Sequence, residues 1–152
     1  MRMPSARAMR RILNLWPPFL FAGIRVLEIS DDYRRARVVL RLHWYNRNYV
    51  DTHFGGSLFA MSDPFWMLLM LRRLGSGYIV WDKAAEIEFV EATREPVYAA
   101  VDVDDALVEE IRAAAAGGEK VLRWLENEVR TGDGTVVARV RKQLYVRRKP
   151  PS

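Results

Sequence analysis

The residues best suited to chemistry in this 152-residue chain lie in one stretch, Thr52-His53-Phe54-Gly55-Gly56-Ser57-Leu58-Phe59-Ala60-Met61-Ser62-Asp63-Pro64. Two glycines at a helix start leave backbone N–H groups without intrahelical partners, with the positive end of the helix dipole behind them. Because glycine has no side chain, a ligand carbonyl can approach that backbone closely. Such donors can hold a developing oxyanion, an effect for which loss of one donor costs ~2.7–4 kcal/mol. The plain alternative is that Gly55-Gly56 is only a turn. His53 is a candidate proton partner or orienting group, or else a loop histidine bonded to backbone. Asn48 can anchor a water or a substrate amide, or bond its own turn.

Asp63 has two readings that the residues alone leave open. Aspartate before proline fits a helix N-terminus, with Asp63 as N-cap and Pro64 in the first helical position. Alternatively the helix begins near Gly56 and Pro64 kinks it by removing a hydrogen bond to Ala60. Asp63 is then a carboxylate within an apolar helix, costly to bury without partners and inclined toward a raised pKa, as a general base requires. His43 and His53 are the only histidines and there is no cysteine, so no metal site and no cofactor are expected.

These residues need elements to position them. Apolar residues cover every side of the segment after Asp63, up to Arg72-Arg73-Leu74-Gly75, and such a helix must be buried. A central helix over about residues 56–74 is expected, with a left-handed glycine cap at Gly75. Ahead of it, Met9, Ile12, Leu13 and Trp16 fall at helical spacing. They predict an N-terminal helix over about 5–16, stopped by Pro17-Pro18. Strands are predicted at Gly23 to Ser30, Arg37 to His43, Tyr78 to Val90, Pro96 to Val103, Lys120 to Arg130 and Thr135 to Arg148. In the third of these, Trp81, Lys83, Ala85, Ile87 and Phe89 are assigned to one face. Alternation of Val136, Ala138, Val140, Leu144 and Val146 buries one face of the last. A helix from Ala106 to Ala116 follows Asp104 or Asp105 as cap, and Gly132-Asp133-Gly134 makes the strongest hairpin signal. The sum is an α+β single domain over 1–152: a curved antiparallel sheet around one helix.

Composition narrows the function classes. Half of the residues are hydrophobic and the net charge is +5, a globular chain with a basic surface. The basic residues, among them Arg37, Arg41, Arg139, Arg141 and Lys142, are strung along strands without a nucleic-acid-binding motif. A solvated face or a phosphate-bearing ligand is expected, and no nucleic-acid partner. The apolar run is too short to span a bilayer, so no membrane partner is expected. The lack of cysteine fits a reducing, cytoplasmic setting.

Asn48, the Gly55-Gly56 pair and Asp63, with seven residues from Asn48 to Gly55 and seven from Gly56 to Asp63, resemble the active-site pattern of hotdog-fold acyl-CoA thioesterases. The likeness is strongest to the phenylacetyl-CoA thioesterase-like branch. The wider string, with Val80-Trp81-Asp82-Lys83, resembles a less characterised thioesterase-like family of the same superfamily. The resemblance implies a hotdog domain hydrolysing an acyl thioester, with Asp63 as general base or nucleophile and Asn48 and His53 as further catalytic candidates. Gly55, Gly56, Phe54 and Ser57 would contact substrate. It implies a homodimer or a dimer of dimers, pairing long strands, with each site built from the glycine turn of one subunit and Asp63 of the other. One departure is plain: histidine directly precedes the glycines in that pattern, whereas here Phe54 does and His53 is displaced by one. A non-catalytic acyl-thioester-binding hotdog protein is the alternative. An enoyl-thioester hydratase is a third reading, from the five-residue separation of Asn48 and His53.

Overall fold

The structure, a computed structural model, describes residues 4–150. Ser5 caps the first helix, α1 (Ala6–Leu15), by accepting from the Ala8 N–H. The expected proline stop is at the same time a start: Pro17 sits in the first turn of a second helix, α2 (Pro17–Ala22), where its missing N–H costs nothing. Gly23, at φ 77°, ends α2 in the left-handed region. Next come β1 (Ile24–Ile29) and β2 (Arg35–Leu40), the latter shifted from the predicted 37–43 because residues 41–46 turn away and are tied by Asn46 to Ala22 and Arg41 carbonyls.

The central helix is two pieces, α3 (Gly55–Ala60) and α4 (Phe65–Leu74), parted by a turn over residues 61–64. Pro64 has no N–H to give to Ala60, and the Ser62 and Asp63 N–H groups tighten instead onto Phe59 and Ala60 at 3.1 and 3.2 Å. Asp63 does not cap α4, whose N-terminus has no side-chain cap. Gly75 ends α4 with φ 89° but ψ −178°, so the cap is a glycine conformation outside the expected left-handed helical one. Then follow β3 (Tyr78–Phe89), β4 (Val97–Asp102), α5 (Asp105–Ala114, capped by Asp104), β5 (Lys120–Thr131) and β6 (Val136–Arg148).

All six strands pair antiparallel in the order β1-β2-β4-β5-β6-β3. Helix α4 packs on β2, β6 and β3. In a flat sheet β2 and β3 would be roughly 19 Å apart, four steps of ~4.8 Å, so the sheet must curl around the helix. Phe65, Leu69 and Met70 are fully enclosed in the resulting core, with Val38, Leu40, Val140 and Leu144. The solvent face carries a ladder of charges instead: Arg141 pairs with Glu86, and Arg139 with Glu88 and Glu128. Exposed pairs of this kind are worth little each. Among the described residues no helix is long and apolar enough to cross a membrane.

The two edges of the sheet differ. On β1, the Asn14 side chain of α1 takes the Val26 N–H at 2.8 Å and donates to the Val26 carbonyl at 3.1 Å, and Arg10 donates to the Leu27 carbonyl. That edge is sealed by side chains, a standard protection against strand addition. The twelve-residue β3 forms the other edge and, among the described residues, pairs only with β6.

A β-bulge in β3 between Asp82 and Ala84 reverses the expected facing. Val80 and Asp82 pair with inward Val146 and Leu144; after the bulge Ala85, Ile87 and Phe89 pair with inward Lys142, Val140 and Ala138. Trp81 therefore lies on the opposite face from Ala85, Ile87 and Phe89, stacked on Tyr145 at 4.6 Å, and the single-face assignment is corrected. The turn between α3 and α4 is fastened to β5 by Asn127, which accepts from Trp66 Nε1 at 3.1 Å and donates to Ser62 Oγ at 2.9 Å, all in the interior. Asn127→Leu strands both groups in the core and is expected to cost about 1–3 kcal/mol; the urea unfolding midpoint, with an unchanged m-value, measures it.

Candidate active site

Phe54 enters α3 in extended conformation, and its carbonyl accepts from Ser57 and Leu58. Gly55 and Gly56 have no N–H partner among the described residues. A side chain at either position would displace a ring: a Cβ on Gly55 would lie 2.7 Å from the Phe89 ring, and one on Gly56 2.5 Å from the Phe54 ring. The glycines thus let two half-exposed aromatic rings lie against the backbone at the start of α3. Ser57 is buried.

Asn48, His53 and Gly55 line one depression of ≈ 340 Å³, together with Phe89, Val90 and Val137. The Asn48 side chain organises the turn: its oxygen accepts from the Val50 and Thr52 N–H groups, and its nitrogen donates to Thr52 Oγ1 and the His53 carbonyl. All four of its polar positions are filled. His53 is buried, with Nε2 2.7 Å from the Glu95 carbonyl, to which it donates; Nδ1 is buried without a partner among the described residues.

Asp63 stands apart from that depression. Its carboxylate projects from the helix break, about half exposed, and accepts from Lys142 Nζ at 2.6 Å. Lys142 is 1% exposed, on the core side of β6, with its ammonium also 3.0 Å from Asp82 and 5.9 Å from the Phe59 ring centroid. A buried ammonium persists only when paired, and here two carboxylates from separate elements pair it. Desolvation pushes the Asp82 carboxyl above its ordinary 3.8; the Lys142 hydrogen bond and charge oppose that shift, and the charge of Asp63 adds to it. The second Asp82 oxygen is buried and has no partner among the described residues. The structure thus joins Asn48, His53 and Gly55 at one end of α3, and places Asp63 at the other with Asp82, named in the sequence only within Val80-Trp81-Asp82-Lys83, and with Lys142, which was expected on a solvated basic face and is instead buried. The alternation in β6 held the signal: position 142 is an inward one, and its lysine breaks an otherwise apolar series. Among the described residues no group of three potential ligands is arranged to hold a metal ion.

The family model for DUF4442, a domain of unknown function, matches residues 5–146. The chain belongs to the DUF4442 family. No curated protein matches its sequence. Among solved structures, this DUF4442 chain resembles PA5026 from Pseudomonas aeruginosa, a protein of unknown function called a probable thioesterase. They share 18% identity and a TM-score of 0.83 over 97% of this chain and 98% of that one. It also resembles the thioesterase HI1161 from Haemophilus influenzae at 12% identity and TM-score 0.69, covering 97% and 93%. A mutant of thioesterase PA1618 from Pseudomonas aeruginosa matches at 10% identity and TM-score 0.68, covering 97% and 96%. At these identities the likeness shows the fold, and the fold is the hotdog expected from the sequence.

Lys142 provides a direct test of the charge arrangement in this DUF4442 domain. Asp82 has a folded pKa above its unfolded value near 3.8, so its ionised carboxylate subtracts stability at neutral pH, and the loss is relieved as pH falls through the folded pKa toward 3.8. Removing the ammonium deepens that loss: Lys142→Met is expected to cost about 3 kcal/mol at pH 7. The deficit should shrink near pH 4.5 and largely disappear in Lys142→Met/Asp82→Asn. Urea unfolding at the two pH values measures all three; a deficit indifferent to pH and to the second substitution would uncouple Lys142 from Asp82.

Proposed function

We propose that the protein hydrolyses an acyl thioester, acyl-CoA or a related carrier, with the carbonyl oxygen held by the Gly55 and Gly56 N–H groups and Asp63 as the base that activates water. The observation that carries this reading is Asp63 itself: a solvent-reaching carboxylate, held by a buried lysine, at a break in an otherwise apolar helix. The thioesterases among its structural relatives support the same class of chemistry. Asp63 takes a proton from water, the hydroxide adds to the carbonyl carbon, and the tetrahedral oxyanion collapses with cleavage of the C–S bond. The thiol leaves with the proton, giving a carboxylic acid and a free thiol.

One chain does not complete this site. Seven residues of helix and turn separate Gly56 from Asp63, roughly 10 Å at the helical rise, and Asp63 does not line the depression at the glycines. The proposal therefore includes a second copy, its Asp63 brought against the first copy's glycine turn. The open β3 edge is the surface that accommodates it, by antiparallel pairing of two twelve-residue strands about a two-fold axis. An enoyl hydratase finds less support, since Asn48 spends its amide on its own turn and His53 Nε2 is engaged by Glu95.

A panel of acyl-CoA esters of increasing chain length, followed by thiol release, tests the reading. Asp63→Asn is expected to lower kcat by roughly 10²–10⁴-fold, the range for loss of a general base, with the fold intact by circular dichroism. Full activity in that variant would remove Asp63 from the mechanism, and acyl-CoA that stabilises the protein without being cleaved would mark a binding protein. Mixing inactive Asp63→Asn and Gly56→Val chains, unfolded together and refolded, should restore about a quarter of wild-type activity if each site draws on two copies of a symmetric dimer.

A further inference from the structure

Two features of the corner between α1 and α2 take no part in the site above. Five large apolar side chains face solvent there: Ile12, Leu15, Trp16, Leu20 and Phe21, with Leu15 and Phe21 more than 70% exposed. Beside them, α1, β1 and the residue that follows β2 enclose a groove of ≈ 630 Å³ in which Arg10, Arg11, Arg25 and Arg41 converge with Leu15 and Leu27. Among the described residues no carboxylate lines the groove. Among the described residues none of these four arginines, nor nearby Arg7, is in an ion pair. The contrast with Arg139 and Arg141, each matched to a glutamate on the solvent face, marks the groove as a local excess of positive charge. Such an excess repels itself and attracts an anionic surface.

We propose that this corner rests on the surface of an anionic lipid bilayer. That surface supplies both complements side by side: phosphates for the arginines, and an acyl boundary for the Trp16, Phe21, Leu20 and Leu15 side chains, with tryptophan at headgroup depth. Lying on a membrane needs no spanning segment, so the absence of one among the described residues is no obstacle. A second copy is a poorer occupant. The β1 edge beside the groove is sealed by Asn14 and Arg10, and a two-fold contact there would set the same arginines against each other. The corner also lies at the opposite edge of the sheet from β3, so strand pairing at β3 leaves it uncovered. The inference is independent of what the glycine turn and Asp63 do.

Cosedimentation of the full chain with vesicles of phosphatidylcholine alone, and with about a quarter phosphatidylglycerol, at low and high salt tests it. Binding is expected only with phosphatidylglycerol present, weakening as salt rises. Arg25→Gln/Arg41→Gln should bind about 25-fold more weakly, near fivefold per charge removed. Leu15→Ser/Phe21→Ser should lose at least about tenfold through its apolar contribution, with melting temperature and sedimentation coefficient unchanged. Equal recovery on both vesicle types, or none on either, overturns the proposal. So does a serine variant that binds as wild type while an RNA duplex oligonucleotide competes the vesicles away, which would mean a nucleic-acid surface. A serine variant with a smaller sedimentation coefficient also overturns it, because the patch then belongs between copies of the chain.

Discussion

The ammonium of Lys142 sits where a charge is most expensive, between the sheet and the central helix, almost without contact with water. Two features that look like irregularities exist together around it. The break at residues 61–64 turns Asp63 toward Nζ, and the bulge near Lys83 puts Asp82 on the inward face, 3.0 Å from the same atom. An unbroken helix or an unbulged strand would leave the lysine with one partner or none, and a buried cation so stranded is not tolerated. Asn127 completes the arrangement by satisfying Ser62 and the Trp66 indole with one amide. The polar centre and the apolar core are therefore one construction, in which helix and sheet are held in register by charge as well as by packing.

The same arrangement explains how far the sequence could be read. Apolar periodicity, the Gly132-Asp133-Gly134 hairpin, the Asp104 cap and the burial of the segment after Asp63 are local signals, and they were sufficient for an α+β fold with a helix inside a curled sheet. The strand order is set by contacts distant in sequence and had no such signal. Pro64 announced the interruption of the helix because its consequence, a missing N–H, is local. Pro17 misled: a proline that ends one helix can be the first residue of the next, and nothing nearby distinguishes the two.

The glycine turn and Asp63 stood out in the sequence as polar interruptions of an apolar run, whereas Lys142 and Asp82 were not read as neighbours of Asp63, for different reasons. Lys142 sat in plain view at an inward position of β6, within a series of apolar residues that drew attention to themselves. Asp82 was hidden by the bulge, since one additional residue shifts every side chain beyond it to the other face, and no residue type near Lys83 demands a bulge. Asn48 and His53 were found as polar residues near the glycines, but their hydrogen bonds point into the turn and the adjoining loop. What the turn leaves over is backbone: the N–H groups of Gly55 and Gly56, without a partner among the described residues, beside the Phe54 and Phe89 rings.

The unlike edges of the sheet bear on how many chains can join it. Two open edges would let molecules add without end, the geometry of a fibre. Here Asn14 and Arg10 occupy the Val26 N–H and the Val26 and Leu27 carbonyls in the middle of β1, which leaves β3 as the edge open to strand addition. Any sheet that extends through β3 meets a sealed β1 at each outer margin once two chains have joined, and stops. A few side-chain hydrogen bonds from one short helix thus stand in the way of strand addition at β1, and a long edge strand at β3 is the more tolerable for it.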